Sequence, residues 1–138
     1  MLVYLLYIVS GILVYVSKAE AFMDPCTIYP KGYLHENETQ VMMMASNCPD
    51  GIIDWPYPRG KLELHFIQKT SFKLCVRDWI GGSALTLFDN SFGQHQELKT
   101  VSHDTNQCIK SNGQTAILEV VAPETLMYMA GFSFEIIN

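Results

Sequence analysis

The sequence has no Cys-x-x-Cys pair, no Gly-x-Ser-x-Gly elbow, no His-Glu-x-x-His and no phosphate-cradling glycine loop. Zinc ribbons, thioredoxin-type redox centres, serine hydrolases, zincin proteases and nucleotide-phosphate sites therefore lack their sequence support. Positive charge is scarce as well. Nine basic residues stand against fourteen acidic ones, a net charge of −5, and no basic cluster occurs. Such a field repels nucleic acid and anionic membrane surfaces. There is no extended apolar stripe of helical period, no internal repeat and no low-complexity linker.

One long apolar run is present, at the start. Leu2 to Val16 is interrupted only by Ser10 and Gly11, then followed by Ser17, Lys18 and Ala19-Glu20-Ala21. An apolar core closed by a small-x-small tripeptide predicts a signal peptide over 1–21, with Phe22 as the first mature residue. An uncleaved anchor is disfavoured because the run falls short of the ~20 residues that span a bilayer. Glu135 breaks the apolar C-terminal stretch, which argues against a GPI anchor. Residues 22–138 are then expected to form one extracellular domain, with no stable membrane anchor.

All four cysteines, Cys26, Cys48, Cys75 and Cys108, lie beyond the expected cleavage site. An even number in an exported chain reads as two disulfides. Three pairings are possible. The sequence-order pairing, Cys26–Cys48 and Cys75–Cys108, is favoured because each bridge closes a medium loop. Asn37-Glu38-Thr39 is an N-glycosylation acceptor and predicts a surface position for Asn37. Asn106-Gln107-Cys108 is a weaker acceptor, since the favoured bridge consumes its cysteine.

Period-2 alternation dominates what remains. Leu62, Leu64 and Phe66 alternate with Lys61, Glu63 and His65, and Phe72, Leu74 and Val76 repeat the pattern. Further strands are predicted over 40–45, 84–88, 116–121 and 132–136. Turn signals separate them at Pro49-Asp50-Gly51, Gly81-Gly82, Asp89-Asn90 and Ala122-Pro123. Tyr57-Pro58-Arg59-Gly60 suits a type I turn, and Ser111-Asn112-Gly113 suits a tight hairpin. The expectation is an all-β domain of six to nine strands, a two-sheet antiparallel β-sandwich with two disulfides.

Little chemistry is available to an enzyme. His35, His65, His95 and His103 share no metal-ligand spacing. His65 falls on the solvent face of its strand, and His95 and His103 fall in loops, where they would serve a secreted metal-dependent hydrolase if one existed. No catalytic residue, metal or cofactor is expected. In Met42-Met43-Met44, alternation sends Met42 and Met44 to one face and Met43 to the other, which reads as core filling more than as a contact surface. Asp50, Asp54, Asp78, Asp89 and Asp104 lie at or near predicted loops, where a solvated acidic surface is favoured over a calcium site.

The segment from Cys48 to Leu62, with Gly51, Trp55, Tyr57, Pro58 and Gly60 at fixed spacing, resembles a stretch of the meteorin and meteorin-like family. Leu74-Cys75-Val76-Arg77 resembles the family's cysteine-bearing strand, Cys108 its partner, and Gly131 to Ile136 its closing strand. The likeness covers most of residues 26–137. It implies a CUB-like sandwich used for extracellular recognition, within a secreted factor of neurotrophic or hormone-like activity. Meteorins continue into a cysteine-rich, netrin-like domain, and this sequence ends at Asn138. A stand-alone domain would be a divergent ligand, or a truncated decoy that occupies a receptor without activating it. Calcium-binding CUB domains carry an Asp three residues after the strand cysteine, where Asp78 stands here. They also carry a Glu about eight residues before that Asp, and position 70 is Thr, so Asp78 is a weak calcium candidate.

Trp55 and Tyr57, beside a turn, carry two readings. Such aromatics anchor interfaces, and a Trp near a disulfide-bearing strand also packs a sandwich together. The packing reading is favoured for the pair, and Arg59 at the turn tip is the more exposed contact. The sequence thus predicts a secreted recognition protein whose partner is an extracellular or cell-surface protein, with Trp55, Tyr57 and Arg59 as its binding residues. The competing class is a β-barrel holding a small apolar ligand.

Overall fold

The computed structural model describes residues 24–138. The expected signal peptide, 1–21, lies outside them. Ten strands run in the order β1 (Thr27–Ile28), β2 (Thr39–Met44), β3 (Asp50–Pro56), β4 (Lys61–Ile67), β5 (Lys73–Ile80), β6 (Thr86–Asp89), β7 (Gln96–Glu97), β8 (Gln107–Lys110), β9 (Thr115–Val121) and β10 (Met129–Ile137). Among the described residues a single 3₁₀ turn, Gly82–Ala84, precedes β6.

The strands form two five-stranded sheets, ordered β1-β3-β10-β5-β8 and β2-β4-β9-β6-β7. From β1 to β6 the chain changes sheet at every connection. At the start of each sheet this sets a strand beside the next-but-one strand running the same way, whereas β10 enters between β3 and β5 and β9 between β4 and β6. The β1–β3 and β2–β4 pairs are accordingly parallel, and the other pairs are antiparallel. The fully antiparallel sandwich expected from sequence is corrected at these two edges. The sheets are open rather than closed into a barrel.

Alternation places the core between the sheets. Leu62, Leu64 and Phe66 of β4 face inward opposite Val120, Leu118 and Ala116 of β9, and all six are fully buried. Ile53 and Phe132, paired across β3 and β10, close the other side. Phe66 meets Phe134 of the opposite sheet edge-on, with ring centroids 5.1 Å apart. Each of the Val, Leu, Ile and Phe side chains contributes about 1.5–3 kcal/mol by leaving water. Side chains fill the interior, which removes the small-ligand barrel.

Two disulfides staple the sandwich. Cys26–Cys48 ties the entry to β1 to the entry to β3, and Cys75–Cys108 links β5 to edge strand β8.

Three sequence expectations change. Asp50-Gly51 does not turn but starts β3, which is bordered by β1 and β10. Asn112 and Thr115 do exchange backbone hydrogen bonds around a tight turn, yet this turn passes from β8 to β9, in different sheets, and is not a hairpin. Tyr57–Gly60 is a crossover from β3 to β4 rather than a type I turn, and the Tyr57 carbonyl accepts the N–H of Tyr33 instead. Gly60 has φ +75°, and a Cβ there would lie 2.6 Å from the carbonyl oxygens of Glu38 and His35. Only glycine fits where these segments meet.

Candidate recognition site

Three chain segments converge at one end of the sandwich: the loop 29–38, the crossover 57–60 and the loop 122–128. The first is fixed from below. Leu34 drops its side chain into the core, 1% exposed. Trp55, completely buried on β3, donates its indole Nε1–H to the carbonyl of Lys31 at 3.1 Å. Gly32 permits this approach, since a Cβ there would sit 2.5 Å from the Pro56 carbonyl oxygen.

On that base stand three tyrosines. Tyr33 and Tyr57 stack with ring centroids 4.4 Å apart, and Tyr128 meets Tyr57 edge-on at 5.8 Å. Their backbones are joined too. Tyr33 N–H donates to the Tyr57 carbonyl, and Tyr57 N–H donates to the Tyr128 carbonyl at 2.8 Å. Tyr33 and Tyr57 hold φ of +57° and +45°. Non-glycine residues adopt that left-handed region rarely, and strain of this kind concentrates at functional sites.

The rings remain open to solvent despite these ties. Tyr33 is 69% exposed, Tyr128 83% and the neighbouring Leu126 81%. With Met127 they line a shallow apolar groove of about 320 Å³. A larger, more polar groove of about 580 Å³ lies beside it, lined by Glu36, Arg59, Pro123 and Glu124 and sharing Leu126. Partial desolvation, and after it the neighbouring Tyr57 and Tyr128 phenols, raise the pKa of Tyr33 above the ordinary 10.0. Tyr33 is therefore a neutral hydrogen-bonding group at physiological pH.

The residues expected from sequence divide here. Tyr57 is central to the cluster. Arg59 is exposed and paired with Glu36 at 2.8 Å, at the rim. Trp55 is corrected: with no exposed surface it cannot touch a partner, and it supports the loop that carries Tyr33. Tyr33, Tyr128 and Leu126 were not expected, because only folding brings them to Tyr57. Asn37 is exposed in the same loop.

The remaining groups lie elsewhere. Asp78 faces the sandwich interior at the end of β5, where Oδ1 accepts the Gly82 N–H at 2.7 Å and Oδ2 lies 3.5 Å from His103 Nε2. Among the described residues no three His, Cys, Asp or Glu side chains gather as a metal site requires. Asp50 and Asp54 are on strand β3, not in loops. Asp54 is buried, its Oδ1 has no hydrogen-bond partner among the described residues, and desolvation raises its pKa. His65 Nε2 bonds Glu63 at 2.6 Å, and His95, stacked on Phe88, bonds Glu119 at 3.1 Å.

No family model matches the chain, and no curated protein matches it either. Solved structures do resemble it. PliG from Aeromonas hydrophila, a periplasmic lysozyme inhibitor of g-type lysozyme, is 11% identical over 75% of this chain and 99% of its own, with a TM-score of 0.50. The full extracellular region of zebrafish Gpr126/Adgrg6 is 8% identical over 76% of this chain and 15% of its own, with a TM-score of 0.41. The CUB1-EGF-CUB2 domains of rat MASP-1 are 9% identical over 73% of this chain and 43% of theirs, with a TM-score of 0.42. At these identities the PliG likeness speaks for the fold alone. The assignment to a two-sheet sandwich rests on the strand pairing itself.

Proposed function

We propose that this chain is a secreted recognition domain of the meteorin type, a signalling ligand that docks a cell-surface protein through the Tyr33–Tyr57–Tyr128 patch. The observation that carries this reading is the combination of exposure with backbone locking. Three phenol rings and Leu126 lie in water, which favours their burial by a partner. Tyrosine supplies large contact area at low conformational cost and is enriched among binding hot spots. The hydrogen-bonded main chains and the Trp55–Lys31 bond hold the patch in place before binding, which reduces the ordering cost of association. Arg59, Glu36 and Glu124 form a polar rim around the apolar centre, the usual anatomy of an interface. Two disulfides and the leader-like residues 1–21 support export to an oxidising space.

The test is binding of the purified secreted protein to cultured cells, read by flow cytometry. Binding should be saturable, abolished by trypsin treatment of the cells, and strongly reduced by Tyr57→Ala or Tyr128→Ala in protein that keeps its circular dichroism. Equal binding by the folded variants and the wild type would discard the patch as the docking surface.

A further inference from the structure

We infer that strand β2 is a self-association edge, through which two copies of this chain pair antiparallel and join their β2-containing sheets into one. The four sheet edges differ sharply. β1 and β7 are two residues long, and β7 ends in Glu97. β8 has four residues, ends in Lys110 and is clamped to β5 by Cys75–Cys108. β2, Thr39–Met44, is six residues of Thr-Gln-Val-Met-Met-Met with no charge, proline or glycine. Short strands, edge charges and bulges are how sheets ordinarily block edge pairing, and β2 has none of them.

The open side of β2 is unpaired. Among the described residues its ladder is with β4 alone, and no loop or turn makes a backbone–backbone hydrogen bond to residues 39–44; the one loop contact, Lys31 N–H to Gln40 Oε1 at 2.9 Å, uses the Gln40 side chain and leaves the strand's backbone groups free. Alternate residues of a strand direct their N–H and C=O groups to each side, so a row of donors and acceptors faces outward. Val41 and Met43 project side by side from the outer face at 59% and 61% exposure.

A second copy fits this edge better than a strand of another kind. In a chain of net charge −5, an uncharged strand offers nothing for an oppositely charged partner to read and nothing to repel itself. Register follows from the pleat. Residues directly opposite must share a face, so a two-fold antiparallel pair can centre on a residue but not between two. Centring on Met42 places Val41 against Met43 of the second copy, twice. This pairs all four exposed apolar side chains and sets Gln40 opposite Met44 on the inner face. Asn37 then falls outside the paired stretch, so its glycan flanks the interface and does not block it.

The inference is independent of the tyrosine patch and is tested separately. Sedimentation of the secreted, folded chain should show a reversible dimer in the micromolar range. Val41→Lys or Met43→Lys should raise its dissociation constant about tenfold or more, by setting an edge lysine against the apolar side chain of the second copy. Ile67→Lys, an exposed apolar position on β4, should leave it unchanged. Amide hydrogen exchange within 39–44 of the wild type should slow as protein concentration rises, a reading that does not need the variants to fold. A wild type that stays monomeric, exchange independent of concentration, or a folded Val41→Lys protein that still dimerises would overturn the inference.

Discussion

The indole N–H of Trp55 and the main-chain carbonyl of Lys31 are joined by a 3.1 Å hydrogen bond, from the floor of the sandwich to the loop that presents Tyr33. Trp55→Phe keeps an aromatic ring in the core, removes the donor and leaves a small cavity where the second ring stood. Leaving the carbonyl without its partner should cost about 1–3 kcal/mol in unfolding free energy. Cell-surface binding should also weaken, although residue 55 is inaccessible. Denaturant unfolding alongside the binding assay checks both; a loss of stability with full binding would show that the loop holds its own shape.

Tyrosine truncation should act in the opposite way. Tyr128→Ala removes an 83% exposed ring, so stability should stay within about 0.5 kcal/mol of wild type. Binding should fall by about 2 kcal/mol, roughly 30-fold, if Tyr128 is a hot spot. Titration on cells measures the second and thermal unfolding the first.

The buried carboxyl of Asp54 sets a pH dependence. Desolvation raises its folded pKa above the unfolded one, so the folded state holds this proton more tightly. Its contribution to stability is present at pH below the unfolded value and is lost as pH rises through the folded value. At neutral pH the charged form is therefore a burden on the fold. Asp54→Asn should raise Tm at pH 7, and the gain should shrink as pH falls through the carboxylate range. Calorimetry of the two proteins at several pH values measures it; an equal gain at every pH would place the effect elsewhere.

Removing either disulfide should destabilise the fold by about 3–4 kcal/mol on the chain-entropy model. The bridges span 22 and 33 residues, so loss of Cys75–Cys108 should cost more, by a few tenths of a kcal/mol. Paired Cys→Ser variants compared in guanidinium give the order. A reversed order would point to structure in the unfolded chain around one bridge.

Strand β4 was readable because one of its faces meets the core and the other meets water, which writes strict alternation into Lys61–Ile67. β3 was not. Its outward Asp54 is covered nearly as fully as the inward Ile53 and Trp55, so Ile52, Ile53, Asp54 and Trp55 show no period; Pro49 and Gly51 then imitate a turn. The parallel edge pairs come from the order in which the chain visits the two sheets, which side-chain pattern does not encode. At the site, Tyr57 was visible beside its Pro and Gly. Tyr33 and Tyr128 were hidden, being 24 residues before it and 71 after it. A positive φ at Tyr33 or Tyr57 is dictated by the hydrogen bonds of the folded loops and leaves no mark in composition.

Because its three rings come from separate stretches of chain, the tyrosine surface forms a discontinuous epitope. No linear peptide cut from the sequence reproduces it, and an antibody raised against it would report nativeness, falling silent on the reduced and denatured chain.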